Sequence, residues 1–310
     1  LSFVTVSKVA DALVELKILR QYNLTADSLS RRSRVLVTKQ YYWLGLYIFK
    51  EDIFSFIVYD LSYKVIYKYQ QRPSFTDFPD QPVYEFITRS QDFIKKNRIK
   101  IPRCIGLGVL VPGHYDKSKD KVTDSTINHF SALRFKHMLS RYFPEDIILV
   151  SSVYSCCAEE MRYKINDNEK LFSFYIDKDC IRGAYITKDH IPEIMHTGLI
   201  SSSCGKTLNV LAKRPQDIDP FFLDICNIIF ALDHTVPINK ITISGNLYPR
   251  NSAVATVIHR ILIDRYYKIM KIPPDVISVD LYQTAISNIT REMRLKWFKE
   301  KIIHQIPSNT

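Results

Sequence analysis

Residues 42–71 hold three short runs rich in aromatic and β-branched residues: Tyr42 to Phe49, Ile53 to Tyr59 and Lys64 to Tyr69. This composition predicts strands, and the Asp60-Leu61-Ser62-Tyr63 connection reads as a hairpin turn. The pattern then changes to helical spacing over Val83 to Lys96 and back to an apolar strand over Arg103 to Val111, closed by Pro112-Gly113. A helix is expected over Ala132 to Tyr142, a strand over Asp146 to Val150 and a helix over Tyr154 to Tyr163. A second hairpin follows, Leu171 to Ile176 with Cys180 to Thr187. Next come a helix from Pro215 to Asp233, a strand from Lys240 to Ser244 and a helix from Asn251 to Tyr267. A last strand, Asp275 to Val279, precedes a terminal helix from about Gln283 to Ile303. Three antiparallel strands, then alternating helices and strands, then the same again, describe a duplicated α/β unit.

Ahead of this unit, Val6, Val9, Ala10, Leu13 and Leu16 repeat at three and four within Leu1 to Leu19, an amphipathic helix. The segment from Ser2 through Lys8 resembles the recognition helix of a winged helix-turn-helix, whose polar face enters the major groove. Ser2, Thr5, Ser7 and Lys8 would then face DNA. The polar stretch Arg20 to Arg34 reads as a wing or a linker, with Arg31, Arg32 and Arg34 placed to neutralise phosphates. The chain starts without Met or a charged-then-apolar leader, so it is expected to be trimmed at its N-terminus.

Composition narrows the choices. No stretch approaches about 18 unbroken apolar residues, so no spanning helix is expected. Forty-three Lys and Arg against 32 Asp and Glu leave a net charge of +11, which suits a polyanionic partner such as DNA. The six cysteines are scattered and read as buried thiols of a reducing cytosol, not as a disulfide framework. Only 8 glycines occur in 310 residues. Sites that hold phosphate on backbone amides need glycine at close approach, so phosphoryl transfer starts at a disadvantage.

The order of elements, with Leu44-Gly45-Leu46, the run from Ile105 to Gly113, Glu193 to His196 and Ile241 to Gly245, resembles the ROK family of repressors and sugar kinases. The resemblance implies an α/β, two-lobed actin-like (ribonuclease H-like) ATPase fold preceded by a partial winged helix-turn-helix. It implies a winged helix and linker over 1–38 and an N-terminal lobe over 39–125, joined by a C-terminal helix over 283–310. The C-terminal lobe would span 126–282.

The departures from the family pattern shape the functional expectation. Family kinases carry Asp-x-Gly-Gly-Thr in the first hairpin, whereas here the run is Tyr47 to Glu51, bulky and glycine-free. The kinase base is an Asp after the strand ending at Val150, and here Ser151-Ser152-Val153 stands there; Val accepts no proton. The Gly-rich adenosine-side turn is reduced to Gly245-Asn246-Leu247. No catalytic residue is therefore assigned. The family's zinc site keeps His196 and Cys204 but has Ser202 and Asn209 where thiolates belong, so neither metal nor cofactor is expected. The sugar pocket is expected to be partly kept, with Glu193 and His196 matching the family's sugar-contacting pair. Asn128 lies near one family Asn and Ser152 replaces another.

The leading expectation is a cytoplasmic, dimeric, catalytically silent regulator that reads DNA and answers to a small carbohydrate or sugar phosphate. The rivals are an atypical ATP-dependent sugar kinase and a dimerisation module without effector.

Overall fold

The computed structural model describes residues 10–11, 13–15, 19–23, 34–38, 42–74, 80–125, 127, 130–176, 181–190, 192, 194–196, 218–245, 251–269 and 271–301. Two five-stranded sheets dominate it, beside a short antiparallel ribbon of β7 (His114–Asp116) and β8 (Lys121–Thr123). The first joins β3 (Trp43–Phe49), β4 (Phe54–Asp60), β5 (Val65–Gln71), β6 (Cys104–Val111) and β9 (Ile148–Ser152) in the order β5-β4-β3-β6-β9. The second joins β10 (Leu171–Ile176), β11 (Ile181–Ile186), β12 (Ile194–His196), β13 (Lys240–Gly245) and β14 (Asp275–Ser278) in the order β12-β11-β10-β13-β14. In both, the first three strands are antiparallel and two parallel strands follow on the other side of the first. The expected duplicated α/β unit is present.

Alternation along β3 explains why all seven of its residues are buried. Trp43, Tyr47 and Phe49 enter one core with α1 (Gln81–Lys96) and α2 (Phe135–Ser140). Leu44, Leu46 and Ile48 enter a second core, shared with α3 (Val153–Lys164), α6 (Leu281–Lys301) and the second-sheet residues Leu171 and Tyr175. A third core lies on the far face of the second sheet, under α4 (Ile218–Thr235) and α5 (Asn251–Lys268). The molecule is thus a stack of helices, sheet, helices, sheet and helices, with α3 and α6 in the middle layer. A sheet covered on both faces reads as continuous apolar sequence.

The C-terminal helix lies close on the first sheet because two of the few glycines make room for it. A Cβ on Gly106 would sit 2.8 Å from Met293 Cβ, and one on Gly108 would sit 3.1 Å from Ile289 Cδ1. Helix α6 packs on the first sheet through Ile289 and Met293. The boundary expected at 125/126 does not hold. Phe130, Phe135 and Met138 pack in the first sheet's core, and β9 pairs in parallel with β6, so that unit runs on to Ser152. Strand β9 begins two residues later than expected, because Pro144 leads into a 3-10 turn over Glu145–Ile147 that uses up Asp146.

Near the N-terminus the backbone is helical at 10–11 and 13–15. Leu19 is not in that helix. It opens β1 (Leu19–Asn23), which pairs antiparallel with β2 (Arg34–Thr38). Arg34 opens β2 opposite Asn23. Ser2, Thr5, Ser7, Lys8, Arg31 and Arg32 lie outside the described residues. Among the described residues no helix is long and apolar enough to cross a membrane.

Candidate functional site

Strand β9 ends at Ser152, whose side chain caps α3: its Oγ accepts from the Tyr154 N–H at 3.2 Å. A serine in extended conformation just before a helix satisfies one of the orphan N–H groups of the first turn. Val153 is the first helical residue and is fully buried in the middle core. At the far end of β3, Phe49 is fully buried among Phe54, Phe130 and Phe135, with ring centroids 4.9, 5.6 and 5.0 Å away. The turn that follows is closed by Lys50 N–H donating to the Ile53 carbonyl at 3.2 Å.

Ser152 opens on a cavity of about 470 Å³ between the end of β9, α3 and α6. Its polar wall includes Ser151, Ser155, Glu159, Arg162, Asn288 and Glu292. Arg162 Nε donates to Glu159 Oε2 at 2.8 Å and its Nη1 donates to the Lys188 carbonyl at 3.2 Å. The hydrogen bond to Glu159 raises the guanidinium's pKa and so holds it charged. The Asn288 side chain is buried, and its Nδ2 has no hydrogen-bond partner among the described residues. An amide donor left open beside hydroxyls, a carboxylate pair and an arginine suits a ligand rich in hydroxyl groups. Burial pushes the Cys156 thiol in the same wall up to about 12, so it is a neutral thiol and not a nucleophile.

Of the four expected effector contacts, only Ser152 has a described side chain. Asn128 and Glu193 lie outside the described residues. For His196 the backbone alone is described: it ends β12 in register with Arg182 on β11. The zinc-type run through Ser202, Cys204 and Asn209 also lies outside.

Sequence reasoning passed over Arg182 and Asn288. Arg182 is buried on the second sheet and reaches into the first unit. Its Nη1 donates to Tyr154 Oη at 3.1 Å and its Nη2 to the Asp124 carbonyl at 2.6 Å, with the guanidinium 4.5 Å from the Tyr154 ring centroid. The available signal was a single arginine inside the apolar run Cys180 to Thr187. A charge at an inward strand position requires partners of this kind. Asn288 gave no such signal, because an Asn among Ser, Thr and Arg residues is ordinary on a solvated helix face.

No protein-family model and no curated protein matches the sequence. Solved structures do match. A ROK family transcriptional regulator, a homologue of the Escherichia coli Mlc protein, aligns over 98% of this chain and 92% of its own at 11% identity and TM-score 0.66. A ROK family protein of Streptococcus pneumoniae in complex with sucrose aligns over 84% of this chain and 99% of its own, at 10% identity and TM-score 0.57. A ROK family glucokinase of Streptomyces griseus, in complex with glucose and AMPPNP, aligns over 82% and 99%, at 10% identity and TM-score 0.54. These three neighbours are all ROK family proteins, a sugar kinase and a regulator among them. At these identities the likeness establishes the fold, the two-lobed actin-like fold of the sugar kinases.

Proposed function

We propose that this chain is a ROK-type transcriptional regulator in which a DNA-reading N-terminal segment is joined to a catalytically silent, sugar-binding kinase fold. The observation that carries the reading is the reach of the likenesses. The regulator aligns over 98% of the chain, whereas the glucokinase and the sucrose-bound protein align over 82% and 84% while using 99% of themselves. The excess is compatible with the segment ahead of Tyr42, where β1 and β2 pair. Two local features support silence. Val153 offers no proton acceptor at the family's base position. The first hairpin carries the buried Phe49 and no glycine, where phosphate needs an open backbone.

In this reading the cavity beside Ser152 holds the effector, a small carbohydrate, through Asn288, Ser155 and the Glu159–Arg162 pair, with Glu193 and His196 nearby in sequence to Pro192 in its wall. Binding would bias the relative position of the two units, and a dimer would convey that bias to the spacing of its DNA-reading segments. The protein would work in the cytoplasm.

The test is selection of genomic DNA fragments on the purified protein, with and without a panel of neutral sugars, alongside an assay of ATP-dependent sugar phosphorylation. Enrichment of defined sites, altered by one sugar, with no turnover, is expected. Absence of preference for any DNA of its own genome would sink the regulator reading. Turnover that survives purification and responds to substitution in the cavity would replace it with a kinase.

A further inference from the structure

Helix α6 borders two cavities. Asn288, Ile289 and Glu292 face the one described above, while Gln283, Ser287, Thr290, Arg291 and Arg294 border a second of about 590 Å³ against β4 and β5. From the sheet side Ile57, Tyr59, Tyr63, Val65 and Lys68 complete it. No Asp or Glu lines it among the described residues. Three cationic side chains therefore converge without a carboxylate in the wall.

Both guanidiniums are held by their faces. Arg294 lies 4.5 Å from the Tyr63 ring centroid and Arg291 lies 3.9 Å from the Tyr163 ring centroid. A guanidinium stacked on a ring keeps its N–H edge available in the plane. Arg291 uses only part of that edge: Nη1 donates to Glu160 Oε2 at 2.6 Å, and its buried Nε and Nη2 have no partner among the described residues. Glu160 is also answered by Lys164 of its own helix at 3.4 Å and by the Ser287 hydroxyl of α6 at 3.2 Å. It therefore cancels one charge and leaves the cavity cationic. Arg291 and Arg294 stand three residues apart on one face of the helix, and both border the cavity.

We propose that this cavity is a phosphate site, separate from the sugar cavity on the other flank of α6, in which Arg291 and Arg294 take the oxygens of one phosphate group. Two guanidiniums and a lysine exceed what a single carboxylate needs, and they match a dianion with three acceptor oxygens. The hydroxyl and amide groups of Gln283 and Ser287 stand at the edge for whatever the phosphate carries. The volume is that of a small-molecule pocket and leaves room for a monoester as well as for free phosphate.

The experiment is calorimetric titration of the full chain with inorganic phosphate, glucose 6-phosphate and AMP, with glucose and acetate as uncharged and monocarboxylate probes. Binding of a phosphate-bearing probe and none of glucose or acetate at this site is expected. Loss of one charge-assisted contact in Arg294→Ala should weaken binding about tenfold or more. Lys68→Gln, at an exposed position, should weaken it less and serves if Arg294→Ala misfolds by circular dichroism. Arg89→Ala, which removes the same charge from a remote ion pair with Glu85, should leave it unchanged. Equal affinity for phosphate and the two esters identifies the free ion, and tighter binding of an ester identifies a phosphorylated metabolite. Failure of every phosphate probe to bind, or equal losses in Arg294→Ala and Arg89→Ala, overturns the proposal.

Discussion

The two flanks of α6, one against α3 and the end of β9 and the other against β4 and β5, offer opposite chemistry. On one, Ser151, Ser155, Asn288 and the Glu159–Arg162 pair give a cavity of balanced charge and many small polar groups. On the other, Arg291, Arg294 and Lys68 meet tyrosines and give a cationic one. Glu160 separates them. It is buried on α3, where Lys164 of its own helix and Arg291 and Ser287 of α6 contact it. Glu160 thus offsets Arg291 on the cationic flank, whereas Arg162 on the other flank is paired with Glu159. Helical periodicity alone puts residues 288 and 292 on one flank and 287, 291 and 294 on the other.

Removing that divider is expected to have the largest effect. Glu160→Ala strands Arg291 in a largely buried setting, and breaking a buried pair on one side costs about 3–5 kcal/mol. Urea unfolding measures this, and a loss under 1 kcal/mol would mean that water already carries the guanidinium.

Alkaline titration probes the balanced cavity next. The Cys156 thiol has an ordinary value near 9 when exposed and is pushed up to about 12 by burial. Between those values the unfolded chain releases a proton that the folded chain keeps, so stability falls as pH rises above about 9. The slope from this group reaches at most about 1.4 kcal/mol per pH unit. Cys156→Ala should decline less steeply than the parent protein over that window, and parallel curves would contradict the burial of this thiol.

Asn288→Leu separates ligand chemistry from stability. It removes an amide donor that lacks a partner, so stability should change by less than about 1 kcal/mol. The thermal shift produced by an effector sugar should disappear, while phosphate binding on the other flank persists. A retained sugar shift would exclude Asn288 from the contacts. The smallest effect is expected from Arg162→Gln, whose i,i+3 pair with Glu159 is partly exposed and contributes about 0–1 kcal/mol. Denaturation curves that differ by more would place this pair in a tighter network.

Most elements were legible in the sequence because period decides them. The three strands from Trp43 to Gln71, the hairpin Leu171–Ile176 with Ile181–Ile186, and the helices from Ile218 onward lie where alternation and three-four spacing put them. Expected positions slipped where local chemistry intervened. Pro144 and a 3-10 turn displaced β9, and Leu19 left the helical run for a strand that only pairing with Thr38 defines. The unit boundary at 125/126 failed for a different reason. Membership of a sheet is settled by a partner far along the chain, here Leu107 opposite Ile148.

The candidate sites divide in the same way. Ser152 and Val153 were singled out by the resemblance to the family pattern, in which an Asn and the kinase Asp stand at those positions. Arg182 carried a signal in its setting but not the identity of its partners, Tyr154 and the Asp124 carbonyl. Asn288, Arg291 and Arg294 carried none. By itself the sequence determined period, element order, the glycine-poor first hairpin and the absence of a carboxylate at 153, because each is a property of neighbouring residues. The tertiary structure decided that Gly106 and Gly108 bring α6 onto the first sheet, that Glu160 turns Arg291 inward, and that two cavities of unlike charge flank one helix. Those outcomes depend on side chains more than a hundred residues apart meeting where water is excluded, and only there do unpaired charges and open donors acquire their weight.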